Sequence, residues 1–207
     1  MITPAALPRL YAILDAGLVT DPVALFRMAG ELAQGGVTLI QYRNKNGNAR
    51  EILDQALALR QILPAQVTLI LNDRADLCIA AGCNGVHVGQ EDLSPESVRG
   101  IIGPELWLGV STHNPEQLSE ADLTSADYLA IGPVFATSSK ENPDPVVGLE
   151  GVRRARALTR KPLVAIGGIT RTNAASVIEA GADSVAVISD LLREPRKSAE
   201  AFFRVLR

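Results

Sequence analysis

The chain is poor in residues that announce a cross-linked or metal-stapled fold. Its two cysteines, Cys78 and Cys83, are too few and wrongly spaced for a disulfide framework or a zinc site. They read instead as small buried thiols beside a helix end. Long apolar runs are missing as well: none approaches the ~20 residues of a membrane-spanning helix. The opening MITPAALPRL lacks the charged-then-apolar pattern of a signal peptide, so a cytoplasmic protein is expected. Nor is there an excess of one charge. With 20 basic and 23 acidic residues the formal net charge is -3, which gives no electrostatic footprint for nucleic acid and no basic tail for a membrane surface.

What is present is enough apolar sequence for one large core. Hydrophobic residues make up 47% of 207 positions, and a chain of this size buries roughly 70% of its unfolded surface without staples. Short runs rich in Val, Ile and Leu recur along the chain: Leu10–Leu14, Val37–Tyr42, Val67–Asn72, Gly85–Val88, Trp107–Val110, Tyr128–Ile131, Leu163–Ile166 and Ser184–Ile188. They lack strict alternation, as expected of parallel strands covered on both faces. Helix-period segments lie between them. Asp21-Pro22 and Ser94-Pro95 read as N-caps followed by proline at the first helical position, and Asn114 to Gln117 reads as a capping box. Gly82 and Gly181 stand where left-handed caps end helices. The segments Ala80–Val88 and Glu179–Val187 echo each other four strands apart. Eight strands, each followed by a helix, predict an α/β fold: a single (β/α)8 TIM barrel over residues 1–207 rather than an open doubly wound sheet.

In such a barrel the chemistry sits at the C-terminal ends of the strands. Gln41, Arg43 and Lys45 follow the second run, and extended alternation places them on one side. Asp73 and Asp92 follow the third and fourth runs. Each alone suits a helix N-cap; as a pair near Arg43, Lys45 and Lys140 they suit a hard divalent cation shared with phosphate. Ser111 ends the fifth run and can donate to phosphate. His87, inside an apolar run, reads as structural. His113 has no carboxylate or nucleophile to pair with in sequence, so no role is assigned to it. Gly167-Gly168 and Ser189-Asp190 follow the last two runs, where barrels often bind phosphate through backbone N–H groups. The stretch 133–147 is long for a connection, at about 15 residues, and suggests a lid over the mouth. Together these residues outline one region for a diphosphate and one for a monophosphate.

The segments Gly35–Lys45, Asn72–Leu77, Gly85–Leu93, Gly109–His113, Gly132–Lys140, Gly148–Gly151, Ala165–Ile169 and Val187–Ser189, taken in this order, resemble the thiamine-phosphate synthase (thiamine-phosphate pyrophosphorylase) family. The resemblance runs over essentially the whole chain. It implies condensation of 4-amino-2-methyl-5-hydroxymethylpyrimidine diphosphate with a thiazole phosphate, through an ionised pyrimidine methylene. It further implies that Gln41, Arg43, Lys45, Asn72, Ser111 and Lys140 bind the pyrimidine diphosphate. Of these, Lys140, Arg43, Lys45 and Ser111 are implied to be catalytic. Asp73 and Asp92 would hold Mg2+, and Thr137, Ser138, Ser139, Gly168, Ile188 and Ser189 would line the thiazole phosphate site. Two positions depart from the family: Ser139, where a second threonine is common, and Tyr42, where smaller or aliphatic residues are frequent. A related thiazole tautomerase and a non-catalytic phosphate-binding barrel are the alternatives. The former tends to lose the diphosphate and metal residues, which this chain keeps. The expected partners are small-molecule substrates, and both a monomer and a homo-oligomer are left open.

Overall fold

A computed structural model describes residues 7–137 and 144–206. Strands and helices alternate: β1 (Leu10–Asp15), α1 (Pro22–Gln34), β2 (Leu39–Arg43), α2 (Ala49–Ile62), β3 (Thr68–Asn72), α3 (Ala75–Ala81), β4 (Gly85–Val88) and α4 (Pro95–Ile102) form the first half. The second half is β5 (Trp107–Thr112), α5 (Pro115–Asp122), β6 (Tyr128–Ile131), α6 (Gly148–Leu158), β7 (Leu163–Ile166), α7 (Ala174–Glu179), β8 (Ser184–Val187) and α8 (Pro195–Val205). The strands are all parallel and pair in chain order, and β8 returns to β1, with Leu10 opposite Val185, so the barrel closes as expected. Among the described residues no helix is long and apolar enough to cross a membrane.

Alternation along each strand divides the core into two layers. Leu10, Ala12 and Leu14 of β1 and Ile40 and Tyr42 of β2 pack outward beneath the helices. Tyr11, Ile13, Leu39, Ile70, Tyr128, Ala130, Val164 and Ala186 fill the interior. Tyr42 therefore does not face the mouth. It is buried in the outer layer, where its hydroxyl donates to Gln55 of α2 and accepts from Asn44 Nδ2 at 3.2 Å. That places this departure from the family outside the mouth.

The caps follow the sequence closely. The Asp21 carboxylate accepts from the N–H groups of Val23 and Ala24, and Ser94 from that of Ser97. Asn114 accepts from Gln117 N, but Gln117 Oε1 reaches the N–H of His113, one residue before the cap, so the box is displaced by one position. Gly82 adopts the left-handed conformation (φ 65°, ψ 36°), and Cys78 and Cys83 beside it are free and buried. Gly181, with φ 114°, lies one residue beyond the cap of α7, Ala180.

The N-terminal face carries a repeated clamp that holds strands in pairs. The residue preceding β4, β6 and β8 is Asn84, Asp127 or Asp183. Each accepts at 2.8 Å from a backbone N–H of the preceding strand: Leu69, Leu108 and Leu163. Each also accepts from an arginine of the preceding even-numbered helix, namely Arg60, Arg99 and Arg156. Arg99 goes further and donates to the carbonyls of Gly103, Leu106 and Ser125. Stability is built at this end, away from the mouth.

Candidate active site

The strand ends gather most of the predicted residues. Lys45 Nζ lies 2.5 Å from Asp73 Oδ2, and the Asp73 carboxyl is within hydrogen-bonding reach of Asp92. Asp92 is fixed by accepting the N–H of Gly89 at 2.7 Å. Neither aspartate caps a helix: α3 has Arg74 at its cap with no side-chain hydrogen bond, and α4 is capped by Ser94. Asp73 also has φ 62°, the one positive value at a non-glycine residue among the described residues. A residue held in that sparsely populated region is aimed by its surroundings rather than by local preference. Burial raises the Asp73 pKa above the usual carboxylate value, and Asp92 raises it further against the opposing pull of Lys45. Two close carboxylates of this kind suit a hard cation that takes its remaining oxygens from phosphate and water. Among the described residues no group of three or more His, Cys, Asp or Glu side chains that could hold a metal ion occurs.

Arg43 and Lys45 do not point together as alternation predicts. Strand β2 stops at Arg43, and Asn44 bends the chain by accepting the N–H groups of Asn46 and Gly47. Arg43 consequently turns toward β1, where its guanidinium pairs with buried Asp15, while Lys45 turns toward β3. Asp15 was not expected as a site residue. Its Oδ1 accepts from Gly17 N at 2.8 Å, so it is a fixed anchor for Arg43. The position was legible, since a lone aspartate ends the first apolar run as Asp73 follows the third.

Gln41 and Ser111, on strands across the barrel, are the two ends of one buried hydrogen-bond chain. Gln41 Nε2 lies 2.8 Å from Tyr11 Oη, which is 3.0 Å from Tyr128 Oη. Tyr128 Oη is 3.0 Å from His87 Nδ1, and His87 Nε2 is 2.8 Å from Ser111 Oγ. Burial lowers the His87 pKa to about 4 and raises those of both tyrosines, so all three are neutral near pH 7. His87 is thus more than a core residue. Ser111 is held from the other side by Gln90, whose Nε2 donates to the Ser111 carbonyl at 2.6 Å. Asn72 ends β3 opposite His87 on β4.

His113 also departs from expectation. Its Nδ1 donates to the Gly132 carbonyl at 2.7 Å, with Asp144 Oδ2 at 3.5 Å. A carboxylate is therefore nearby, although the ring is already committed to the backbone.

Loops after β7 and β8 form the second region. The Arg171 guanidinium and N–H both bind Asp190, tying the two loops together. Among the described residues no acceptor is seen for the N–H groups of Gly168 and Ser189. Ile188 packs on the interior layer and Ser189 begins a 3-10 turn, Ser189–Leu191. The glycine pair has a further cause beyond ligand approach. Both residues have positive φ, and a Cβ on Gly168 would lie 2.5 Å from Ala136 O and one on Gly167 2.5 Å from Pro133 Cβ.

That close approach reflects an anchored loop base. Val134 N and Phe135 N donate to the carbonyls of Ile166 and Gly167, and Val134 is fully buried. The middle of the lid expected over 133–147, residues 138–143, falls outside the described residues. Ser138, Ser139 and Lys140 lie outside the described residues. Thr137 is described and half-buried.

The chain is similar to known proteins over its whole length. The profile of the family described as thiamine monophosphate synthase matches residues 10–191. A thiamine-phosphate synthase of Koribacter versatilis is 63% identical over 209 residues, spanning 100% of this chain and 99% of the relative. One from Chloroflexus aurantiacus is 43% identical, spanning 93% of this chain and 89% of the relative. The solved thiamine phosphate pyrophosphorylase of Pyrococcus furiosus superposes with a TM-score of 0.85 at 34% identity, covering 96% of this chain and 95% of that one. On the matching profile and these full-length similarities, the chain belongs to the thiamine monophosphate synthase family.

Proposed function

We propose that this barrel is a cytoplasmic transferase. It joins 4-amino-2-methyl-5-hydroxymethylpyrimidine diphosphate to a thiazole phosphate, or its carboxylated form, giving thiamine phosphate and pyrophosphate. Carbon dioxide is released as well when the thiazole carries its carboxylate. The observation that carries this reading is the convergence of Lys45, Asp73 and Asp92. The bond between the pyrimidine methylene and the diphosphate oxygen breaks, and its electron pair leaves with pyrophosphate. The amino group of the ring stabilises the resulting cation, and the thiazole nitrogen supplies the pair that forms the new C–N bond. Such a reaction needs charge neutralisation rather than a nucleophile or a general base.

Arg43 and Lys45 meet the diphosphate. Lys45, nearly half exposed, exchanges its Asp73 partner for a phosphate oxygen, and Lys140 joins it. Asp73 and Asp92 would hold Mg2+, which when bound supplies further positive charge to the departing pyrophosphate. Gln41 and Asn72 orient the pyrimidine end, and Ser111 donates to the diphosphate. The N–H groups of Gly168 and Ser189, with Ile188 and the hydroxyls of Thr137, Ser138 and Ser139, take the thiazole phosphate. The test is the metal requirement. Pyrophosphate release from the two substrates should stop on chelation and return when Mg2+ is restored. Release that is indifferent to chelator would remove the carboxylate pair from the mechanism.

A further inference from the structure

We propose that Tyr11, Tyr128 and His87 form an ordered proton chain that makes Ser111 a hydrogen-bond donor and Gln41 an acceptor toward the pyrimidine diphosphate. The proposal rests on the substrate reading above and adds three positioning residues to it.

Each hydroxyl in the chain carries one proton, and neutral His87 carries one on its ring. With four contacts of 2.8 to 3.0 Å in series, only two arrangements satisfy every link. In one, Gln41 Nε2 donates to Tyr11, Tyr11 to Tyr128, and Tyr128 to His87 Nδ1. His87 Nε2–H then donates to Ser111 Oγ, and the serine proton is left to point at the ligand. In the other every donor is reversed, Ser111 spends its proton on His87, and Gln41 turns its NH2 to the mouth. Any mixed arrangement leaves two oxygens facing each other with no proton between, or a hydroxyl proton with no acceptor, inside a buried core.

The ligand selects between the two. A diphosphate offers only acceptors, so Ser111 must donate. The arrangement that frees the serine proton also has the amide nitrogen of Gln41 facing Tyr11, as observed, which leaves Oε1 toward the mouth to accept from the ring amino group. Space for the chain is cut into the sequence at Gly109. A Cβ there would lie 2.1 Å from Tyr128 Cζ, 2.4 Å from its hydroxyl and 2.5 Å from His87 Nδ1. The glycine two residues before Ser111 is thus the gap through which Tyr128 reaches His87.

The histidine ring reports the order directly. Long-range 15N–1H correlation spectra distinguish the two neutral tautomers, and His113→Asn assigns the His87 signals because the chain has only two histidines. At pH 7.5 the wild-type protein should show His87 protonated on Nε2. Tyr128→Phe removes the donor to Nδ1 and should shift the Nδ1 resonance toward that of an imidazole nitrogen with no hydrogen bond. The same variant should raise KM for the pyrimidine diphosphate about tenfold, the value of one lost hydrogen bond, and leave KM for the thiazole phosphate unchanged. An Nδ1–H ring or an imidazolium in the wild type would overturn the proposed order. An Nδ1 resonance unmoved by Tyr128→Phe would overturn the coupling, and an equal rise in KM for both substrates would reduce the chain to a structural feature. Should the wild type release no pyrophosphate at all, the substrate reading fails while the tautomer still reports on the chain.

Discussion

Replacing His87 should change how the fold responds to acid, and the size of the change follows from its surroundings. The ring is buried between two hydroxyls, and burial lowers its pKa from 6.5 to about 4. The unfolded chain takes up the proton first as pH falls, so the stability contributed by neutral His87 is complete above pH 6.5. It is lost between 6.5 and about 4. Linkage gives a total loss of about 3 kcal/mol across that window, of which about 2 kcal/mol is gone by pH 5. His87→Gln lowers stability by some amount at every pH but removes this titration. Urea unfolding at pH 7.5 and 5.0 should therefore show wild type losing about 2 kcal/mol more than the variant between the two conditions. Titration elsewhere in the fold is common to both proteins and cancels in the comparison. Parallel pH dependence in the two proteins would refute the burial argument for His87.

Asp73 behaves oppositely. Its pKa is raised by burial and by Asp92, so whatever stability its protonated form gives is lost as pH rises through that value. Asp73→Asn, which also tolerates the left-handed φ, should keep or raise the melting temperature of metal-free protein at pH 7.5 while cutting pyrophosphate release about 100-fold. Thermal melts and initial rates check both halves. Arg99→Ala strips four acceptors on the N-terminal face and should cost about 2 kcal/mol or more in urea unfolding. KM values measured on the folded fraction should stay unchanged. Gly109→Ala forces a methyl group into Tyr128 and should destabilise by about 1 to 3 kcal/mol, with KM for the pyrimidine diphosphate rising alongside.

Apolar runs and caps made the barrel legible, because each run had to be covered on both faces and each cap residue acts locally. Three predicted strands, Gly85–Val88, Tyr128–Ile131 and Leu163–Ile166, coincide with the observed ones. Elsewhere the ends moved. Strand β5 continues to Thr112, because Ser111 and Thr112 still pair with β6, and β8 stops at Val187 before the 3-10 turn. Asp73 and Asp92 were readable as a pair from their places after neighbouring strands. The divergence of Arg43 and Lys45 was not, since alternation says nothing about where a strand ends, and the Asn44 turn ends this one. Tyr11, Tyr128 and His87 stand in apolar runs where core aromatics and a core histidine look the same. Only strand register across the closed barrel brings their polar atoms into line. The arginine clamps were hidden for a similar reason, because each joins a helix to the start of a strand more than 20 residues later.

The proposed reaction is a condensation, and its products can be counted. Purified protein mixed with Mg2+, the pyrimidine diphosphate and the thiazole phosphate should form thiamine phosphate and pyrophosphate in equal amounts, and neither when one substrate is withheld. Isomerisation of the thiazole with no pyrophosphate released, or no turnover with both substrates bound, would contradict the account.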